Sequence, residues 1–188
     1  MELMEYRNDF LEQVRARAAA QENYSRAAFV DYCAEVLGDA DELADFESAY
    51  HRGTGARNRI LEVDGFAPDE VDGSLRLVIA NFEGASTPTT LTQTQAKTLF
   101  SRLQAFCEES LAGTLHEQIE ESSPGYALAS SLFQQRGALT RLRMYLVTDG
   151  ILSTRIRDWP ERFRVACLSM ATFKILSLHV LPMNDKLR

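Results

Sequence analysis

Lysine is scarce in this chain, and basic residues as a whole are outnumbered by acidic ones. The sequence has 20 Lys and Arg residues against 27 Asp and Glu, and its formal net charge is -7. Only Lys97, Lys174 and Lys186 are lysines. Proteins that coat nucleic acid or anionic membranes are usually basic overall. The composition therefore argues against such a coat, and arginine is left to supply most cationic contacts.

Cysteine and histidine are too few and too scattered for a zinc site. Cys33, Cys107 and Cys167 lie far apart among apolar neighbours, and no CxxC pair occurs. The three histidines are equally dispersed. This pattern predicts reduced cysteines in the core of a cytosolic protein and no structural zinc.

Apolar runs long enough to cross a membrane are also missing. The segment Met1–Glu5 has neither a basic leader nor an apolar core. We therefore expect a cytoplasmic protein with no membrane partner. At 188 residues and 45% hydrophobic content, the chain fits one domain with a real core.

The periodicity predicts helices on both sides of a run of strands. Helical stripes cover the first part of the chain, residues 1–38, and a long helix begins near Thr92, where Gln95 completes a capping box. Alternating strands and helices cover 39–168, whereas the pattern of 169–188 favours neither helix nor strand. We predict an α/β (α+β) domain in which helices flank a central mixed sheet with a three-strand meander.

A hairpin with a carboxylate inside its first strand is the most informative feature. Residues 60–67 and 74–82 are rich in β-branched residues and are separated by turn signals. A carboxylate within such a strand is costly unless it is solvated or paired. Asp64 therefore requires an explanation.

A metal site is one explanation for Asp64. Closing the hairpin over residues 68–73 places Asp64 opposite Leu77 and Glu62 opposite Ile79, with Asn81 on the same face. Glu35 or Glu47 could join from neighbouring elements, because carboxylates are the ligands that Mg²⁺ prefers. We expect Asp64 and Glu35 as metal ligands and Asp64 and Glu62 as catalytic carboxylates.

The second hairpin strand does not supply the remaining groups of a nuclease site. It contains no carboxylate, and Arg76 is its one basic residue. Lys97 is the candidate substitute on the next helix, with Gln93 one turn earlier on the same face. The alternative is a structural role, with Glu62 exposed, Asp64 bonded to backbone amides at Gly65, and Lys97 facing solvent.

An arginine strip near the first strands is the candidate nucleic-acid contact. It consists of Arg52, Arg57 and Arg59, whose forked guanidinium groups suit phosphate. The competing interpretation is a solvated surface, which is how most surface charges behave.

Seven short segments along the chain form a recognisable series. They are residues 28–30 (AFV), 63–66 (VDGF), 73–82 (GSLRLVIANF), 91–94 (LTQT), 102–106 (RLQAF), 121–126 (ESSPGY) and 146–150 (LVTDG). In this order they resemble the amino-terminal region of AIPR-type abortive phage infection proteins. The resemblance spans roughly residues 10 to 155. The predicted meander, crossover helix and returning strand are also the core order of the PD-(D/E)xK nuclease fold.

The resemblance implies a bacterial anti-phage domain, the leading module of a longer defence protein. Asn81 stands where it implies an aspartate, so a metal site on Asp64 would lose a ligand charge. We expect a divergent nuclease-like domain that processes or binds DNA or RNA, with Mg²⁺ required if it is catalytic. The alternative is a non-catalytic module that senses a phage product or binds another protein.

Overall fold

The computed structural model describes residues 3–22, 24–40, 42–69, 73–157, 163–167 and 174–179. Five helices, one 3-10 turn (Ala56–Asn58) and eight strands follow one another along this part of the chain. In chain order, the helices and strands are α1 (Leu3–Ala20), α2 (Ser25–Gly38), β1 (Glu47–Thr54), β2 (Ile60–Asp69), β3 (Ser74–Asn81), β4 (Thr90–Leu91), α3 (Gln93–Ala112), α4 (Pro124–Gln135), β5 (Arg141–Thr148), β6 (Ile151–Leu152), α5 (Thr154–Arg157), β7 (Phe163–Cys167) and β8 (Lys174–His179).

Six of the strands form one mixed sheet in the order β1-β2-β3-β5-β8-β7. The first three are an antiparallel meander, and β5 returns parallel to β3 after the crossover through α3 and α4. Strands β8 and β7 complete the sheet in antiparallel pairs, and β4 pairs separately with β6. The predicted fold class and meander are confirmed.

The sheet separates two apolar cores. Alternate residues of β3 face opposite sides, so Leu77 packs into the core beneath α3 and α4, whereas Val78 packs into the core beneath α1 and α2. Leu103 and Phe106 of α3 are fully buried in the first core. Burying each such side chain contributes about 2 kcal/mol, so the helices are held mainly by their apolar stripes.

The start of α3 follows the predicted capping box. The Gln95 amide donates to the Thr92 hydroxyl at 3.3 Å, and the Thr92 amide donates to the Gln95 side chain at 2.8 Å. The helix ends at Gly113, whose φ of 82° is readily accessible to glycine. A Cβ there would also lie 2.4 Å from the Phe133 ring.

Other local predictions have mixed outcomes. Cys33 and Cys107 are free and buried, as predicted, and the side chain of Cys167 lies outside the described part of the chain. The segment 115–121, between α3 and α4, is a turn. Within 169–188, β8 is a strand, and residues 169–173 and 180–188 lie outside the described residues.

The predicted hairpin register is wrong by two residues. Leu77 pairs with Phe66, not with Asp64, and the described pairs run from Gly65–Val78 to Asp69–Ser74. The turn is therefore tighter than expected. A slip of two keeps each side chain on its face, so the error changes which residues meet but not which face they share.

Candidate functional site

Strands β2 and β3 separate at the point where the acidic residues lie. Their described pairing ends at Gly65–Val78, yet β2 extends back to Ile60, where it pairs with β1, and β3 extends on to Asn81, where it pairs with β5. Asp64 bridges the gap, because its Oδ2 accepts a hydrogen bond of 2.7 Å from the Ala80 amide. The Asp64 carboxylate thus takes the place of the main-chain carbonyl that would accept this hydrogen bond in a regular strand pair.

The glycine after Asp64 is required by close packing. A Cβ on Gly65 would lie 2.3 Å from the ring of Phe46 and 2.6 Å from the carbonyl oxygen of Glu47. Any larger residue would push these groups away. Asp64 therefore supplies a buried hydrogen-bond acceptor, and Gly65 leaves space for Phe46 and Glu47 at the start of β1.

Arg26 of α2 holds both carboxylates. Its Nε donates to Oδ1 of Asp64 at 2.7 Å, and its Nη2 donates to Oδ2 at 2.7 Å. The same Nη2 donates to Oε1 of Glu62 at 2.9 Å. A two-point contact of this kind is among the stronger polar interactions in proteins, because both partners are charged and the geometry is fixed.

Two more arginines reach Glu62 from other elements. Arg102 of α3 donates from Nη1 to Oε2 at 2.9 Å, and Nε of Arg52 on β1 lies 4.0 Å from the same oxygen. We call Arg26, Arg52, Arg102, Glu62 and Asp64 the arginine cluster. Its three positive and two negative charges leave one net positive charge.

Burial divides the arginine cluster into an inner and an outer part. Glu62 and Asp64 are 1% and 3% exposed, whereas the side chains of Arg26 and Arg102 are 28% and 25% exposed. Arg52 is 51% exposed. The acids are therefore enclosed, and solvent reaches the arginine cluster through the guanidinium groups.

The environment shifts the pKa values of the central pair. Burial raises the pKa of Asp64 above its ordinary 3.8, and this rise is opposed by the hydrogen bond and charge of Arg26 and by the Ala80 amide. Burial works to lower the pKa of Arg26, but the hydrogen bond and charge of Asp64, together with the charge of Glu62, outweigh it, so that pKa is raised above its ordinary value. Arg26 is the fixed charge of the pair.

Metal ligation would need carboxylate oxygens that face a common point. Both oxygens of Asp64 already accept hydrogen bonds from Arg26, and each oxygen of Glu62 accepts one from an arginine. Among the residues that the structure describes, no three His, Cys, Asp or Glu side chains are grouped so that they could hold a metal ion. As arranged, the acids serve guanidinium groups and do not fit Mg²⁺.

The remaining predicted site residues lie elsewhere. Glu35 is 62% exposed and binds Arg17 at 2.6 Å. Gln93 and Lys97 occupy the first turns of α3, where Gln93 is half-buried and Lys97 is exposed. On α3 it is Arg102 that contacts Glu62.

The predicted arginine strip is divided. Arg52 belongs to the arginine cluster, whereas Arg59 binds Glu108 at 2.7 Å and Glu109 at 3.3 Å. Arg57 is exposed and has a φ of 59°, in the turn between β1 and β2. Arg52 and Arg57 thus remain as surface cations near the edge of the sheet.

A signal for the missed arginines is present in the sequence. Arg26 lies three, four and seven residues before Phe29, Val30 and Cys33, so it continues the buried stripe of α2. Arg102 lies three residues after Leu99 on α3 in the same way. A cation on an apolar stripe predicts a buried acidic partner.

A second buried ion pair shows the same arrangement at the end of β5. Arg7 donates to Oδ2 of Asp149 at 3.1 Å and to the Ala85 carbonyl oxygen at 2.7 Å, and both charged residues are 1% exposed. The amides of Glu83 and Gly84 donate to the Asp149 carboxylate at 3.1 Å each. The pair fastens α1 and the loop after β3 to the end of β5.

Fold and site together define a three-layer α/β domain in which arginines from helices on both sides neutralise acids in the central sheet. The chain belongs to the family described as the abortive infection phage resistance protein N-terminal domain, whose model matches residues 29–166. No curated protein and no solved structure matches the chain significantly.

Family membership implies a role in anti-phage abortive infection. The match begins within α2, so α1 and Arg26 precede it. Among the helices that the structure describes, none is long and apolar enough to cross a membrane.

Proposed function

We propose that this domain serves an abortive-infection protein as a nucleic-acid-binding module whose nuclease-like site is degenerate and non-catalytic. The proposal rests mainly on the hydrogen bonds of Asp64. Its two carboxylate oxygens accept three, two from Arg26 and one from the Ala80 amide. A carboxylate engaged in this way has little capacity left for a cation. Arg26 supplies the compensating positive charge that a metal ion would provide in a nuclease.

The sheet order supports the nuclease-like part of the proposal. The meander β1-β2-β3, the crossover through α3 and α4, and the parallel return of β5 follow the order expected for a PD-(D/E)xK core. Fold order alone is a weak argument for activity. We therefore propose descent from a nuclease-like fold, with binding kept and cleavage lost.

Charge supports the binding part of the proposal. The arginine cluster carries one net positive charge, its member Arg52 is half exposed, and Arg57 is exposed in the turn between β1 and β2. Guanidinium groups suit phosphate, because their forked donors match its oxygens. The net charge of -7 confines any such contact to this local surface.

The test combines binding and cleavage in one incubation. Labelled DNA and RNA, each single-stranded and duplex, are mixed with the protein in Mg²⁺ or Mn²⁺ and examined by anisotropy and by denaturing gel. We expect binding without cleavage. Divalent-dependent cleavage that disappears in Asp64→Asn would refute the non-catalytic proposal, and absence of binding to every probe would refute the nucleic-acid proposal.

A protein-interaction module is the second candidate, favoured by a mostly apolar cavity. Its volume is about 470 Å³, and it lies between α4 and the hairpin of β2 and β3. Its apolar lining includes Phe66, Leu75, Leu128, Leu132 and Leu139. This candidate predicts that Leu139→Gln, at a half-buried lining position, weakens capture of a partner protein but leaves nucleic-acid binding unchanged.

A further inference from the structure

We propose that the outer face of β1 and β2 binds single-stranded nucleic acid, with one base stacked on Tyr50 and adjacent phosphates held by Arg52 and the arginine cluster. The inference rests on the proposed function and deepens it, because it names the strandedness of the ligand and the residues that read it.

Exposed apolar side chains concentrate around the arginine cluster. In the part of the chain whose side chains are described, the exposed large hydrophobic residues are Tyr24, Tyr50, Ile60 and Ile151. Tyr24 precedes Arg26 by two residues, Tyr50 lies on β1, and Ile60 lies on β2. Tyr50 contacts Arg26, and Tyr24 and Ile60 are each two residues along the chain from a member of the arginine cluster.

The strand register places these side chains together. Arg52 pairs with Glu62, and Thr54 pairs with Ile60, so these four share one face of the sheet. Tyr50 lies two residues before Arg52 on the same strand and is 43% exposed. Tyr50, Arg52, Thr54 and Ile60 are all exposed, so this part of the face is open to a ligand.

Tyr50 is positioned as a platform by Arg26. The guanidinium carbon of Arg26 lies 5.6 Å from the centre of the Tyr50 ring, within range of a cation–π contact. The guanidinium group is itself held by Asp64 and Glu62. One side of the ring is therefore supported by a fixed cation, and the exposed part of the ring can accept a base.

Arg52 is the group best able to take a phosphate. Its contact with Glu62 is long, at 4.0 Å, and half of its side chain is exposed. An exposed ion pair of this kind contributes little, so Arg52 can turn outward at small cost. Glu62 remains neutralised by Arg26 and Arg102 when Arg52 leaves.

The combination of aromatic and cation selects an unpaired strand. Bases in a duplex are stacked on one another, whereas those of a single strand can stack on an aromatic side chain while cations follow the backbone. An exposed Tyr50 ring can therefore contribute to the binding of a single strand but contributes little to the binding of a duplex. The positive charge of the arginine cluster also favours a polyanion within an acidic protein.

The experiment is a binding titration with fluorescein-labelled mixed-sequence oligonucleotides of about 16 nucleotides, single-stranded and duplex. The variants are Tyr50→Leu and Arg52→Gln, which change exposed side chains and leave the core intact. Arg15→Gln is the matched charge control, because Arg15 is an exposed arginine on α1. Tyr126→Leu is the aromatic control on α4.

We expect the single strand to bind more tightly than the duplex. Tyr50→Leu should weaken that binding by about 5- to 150-fold, the usual range for loss of one stacked base. Arg52→Gln should weaken it and reduce its salt dependence by about one phosphate contact. Both control variants should bind as the unchanged protein does.

The outcomes separate this inference from the function on which it rests. If duplex binds as well as single strand, or if Tyr50→Leu changes binding no more than Tyr126→Leu, the inference fails and the proposed function stands. If no probe binds, both fail. Equal competition by poly-glutamate would show a site for acidic peptides and would also overturn the inference.

Discussion

At the scale of single residues, the central feature is a buried acid whose charge is balanced by a partner from another layer. Asp64 and Glu62 are almost fully enclosed, and Arg26 contacts both. Removing one partner of such a pair costs more than the pair itself contributes, because the remaining charge is left without compensation. Arg26 therefore matters for stability as well as for the character of the site.

Replacing Arg26 should destabilise the protein strongly. We expect Arg26→Gln to lower the free energy of unfolding by about 3 kcal/mol, as for other broken buried ion pairs. Urea unfolding measures the change. Arg17→Gln, which removes the exposed pair with Glu35, is the control and should cost less than about 1 kcal/mol. Equal effects of the two substitutions would contradict the account.

The cost of Arg26→Gln should depend on pH. Without Arg26, burial raises the pKa of Asp64 further above 3.8, because the opposing hydrogen bond and charge are gone. A carboxyl whose pKa is raised in the folded state favours folding below its unfolded pKa, and this benefit is lost as the pH rises through the folded pKa. The variant should therefore lose least stability near pH 3.8 and more towards neutral pH.

Unfolding curves of both proteins at several pH values test this expectation. The additional change Asp64→Asn removes the titrating group and should flatten the pH dependence of the difference. A difference between Arg26→Gln and the unchanged protein that stays constant with pH would show that Asp64 does not titrate as described.

At the scale of secondary-structure elements, buried ion pairs join helices to strand ends. Arg26 fixes α2 and Arg102 fixes α3 to β2, while Arg7 fixes α1 to the end of β5. Helices packed by apolar stripes alone can slide, whereas a guanidinium group on a particular carboxylate sets their position. We expect these contacts to specify how the layers align.

Loss of Asp149 should loosen α1 and the loop at residues 83–85 together. Asp149→Ala removes the partner of Arg7 and the acceptor of the Glu83 and Gly84 amides, so we expect a loss of at least about 3 kcal/mol. Hydrogen exchange should increase in α1 and in that loop before it does in α3. Asp9→Ala, an exposed position on α1, is the control and should have little effect.

At the scale of the whole molecule, short-range patterns predict much of the fold, and long-range partners are missed. The meander, the start of α3 and the acidic residue inside β2 all follow from local signals. The identity of the partner of Asp64 does not, because Arg26 is 38 residues away in sequence. The partners Arg7 and Asp149 are 142 residues apart.

The sequence grouped Asp64 with Glu62 but missed the arginines that surround them. Asp64 and Glu62 do lie together, but Glu62 is buried, whereas the structural alternative placed it in solvent. The register error arose because turn length was assumed, and the hairpin closes through fewer residues. Spacing within one strand is fixed by the backbone, whereas the choice between a metal ion and an arginine depends on packing between layers.

The central claim is that Arg26 takes the place of a metal ion beside Asp64, and thermal unfolding in Mg²⁺ and Mn²⁺ tests it most directly. A ligand that binds the native state alone raises the melting temperature by mass action. We predict that neither ion raises the melting temperature of the unchanged protein. A rise that disappears in Asp64→Asn would contradict the claim and would identify Asp64 as a metal ligand.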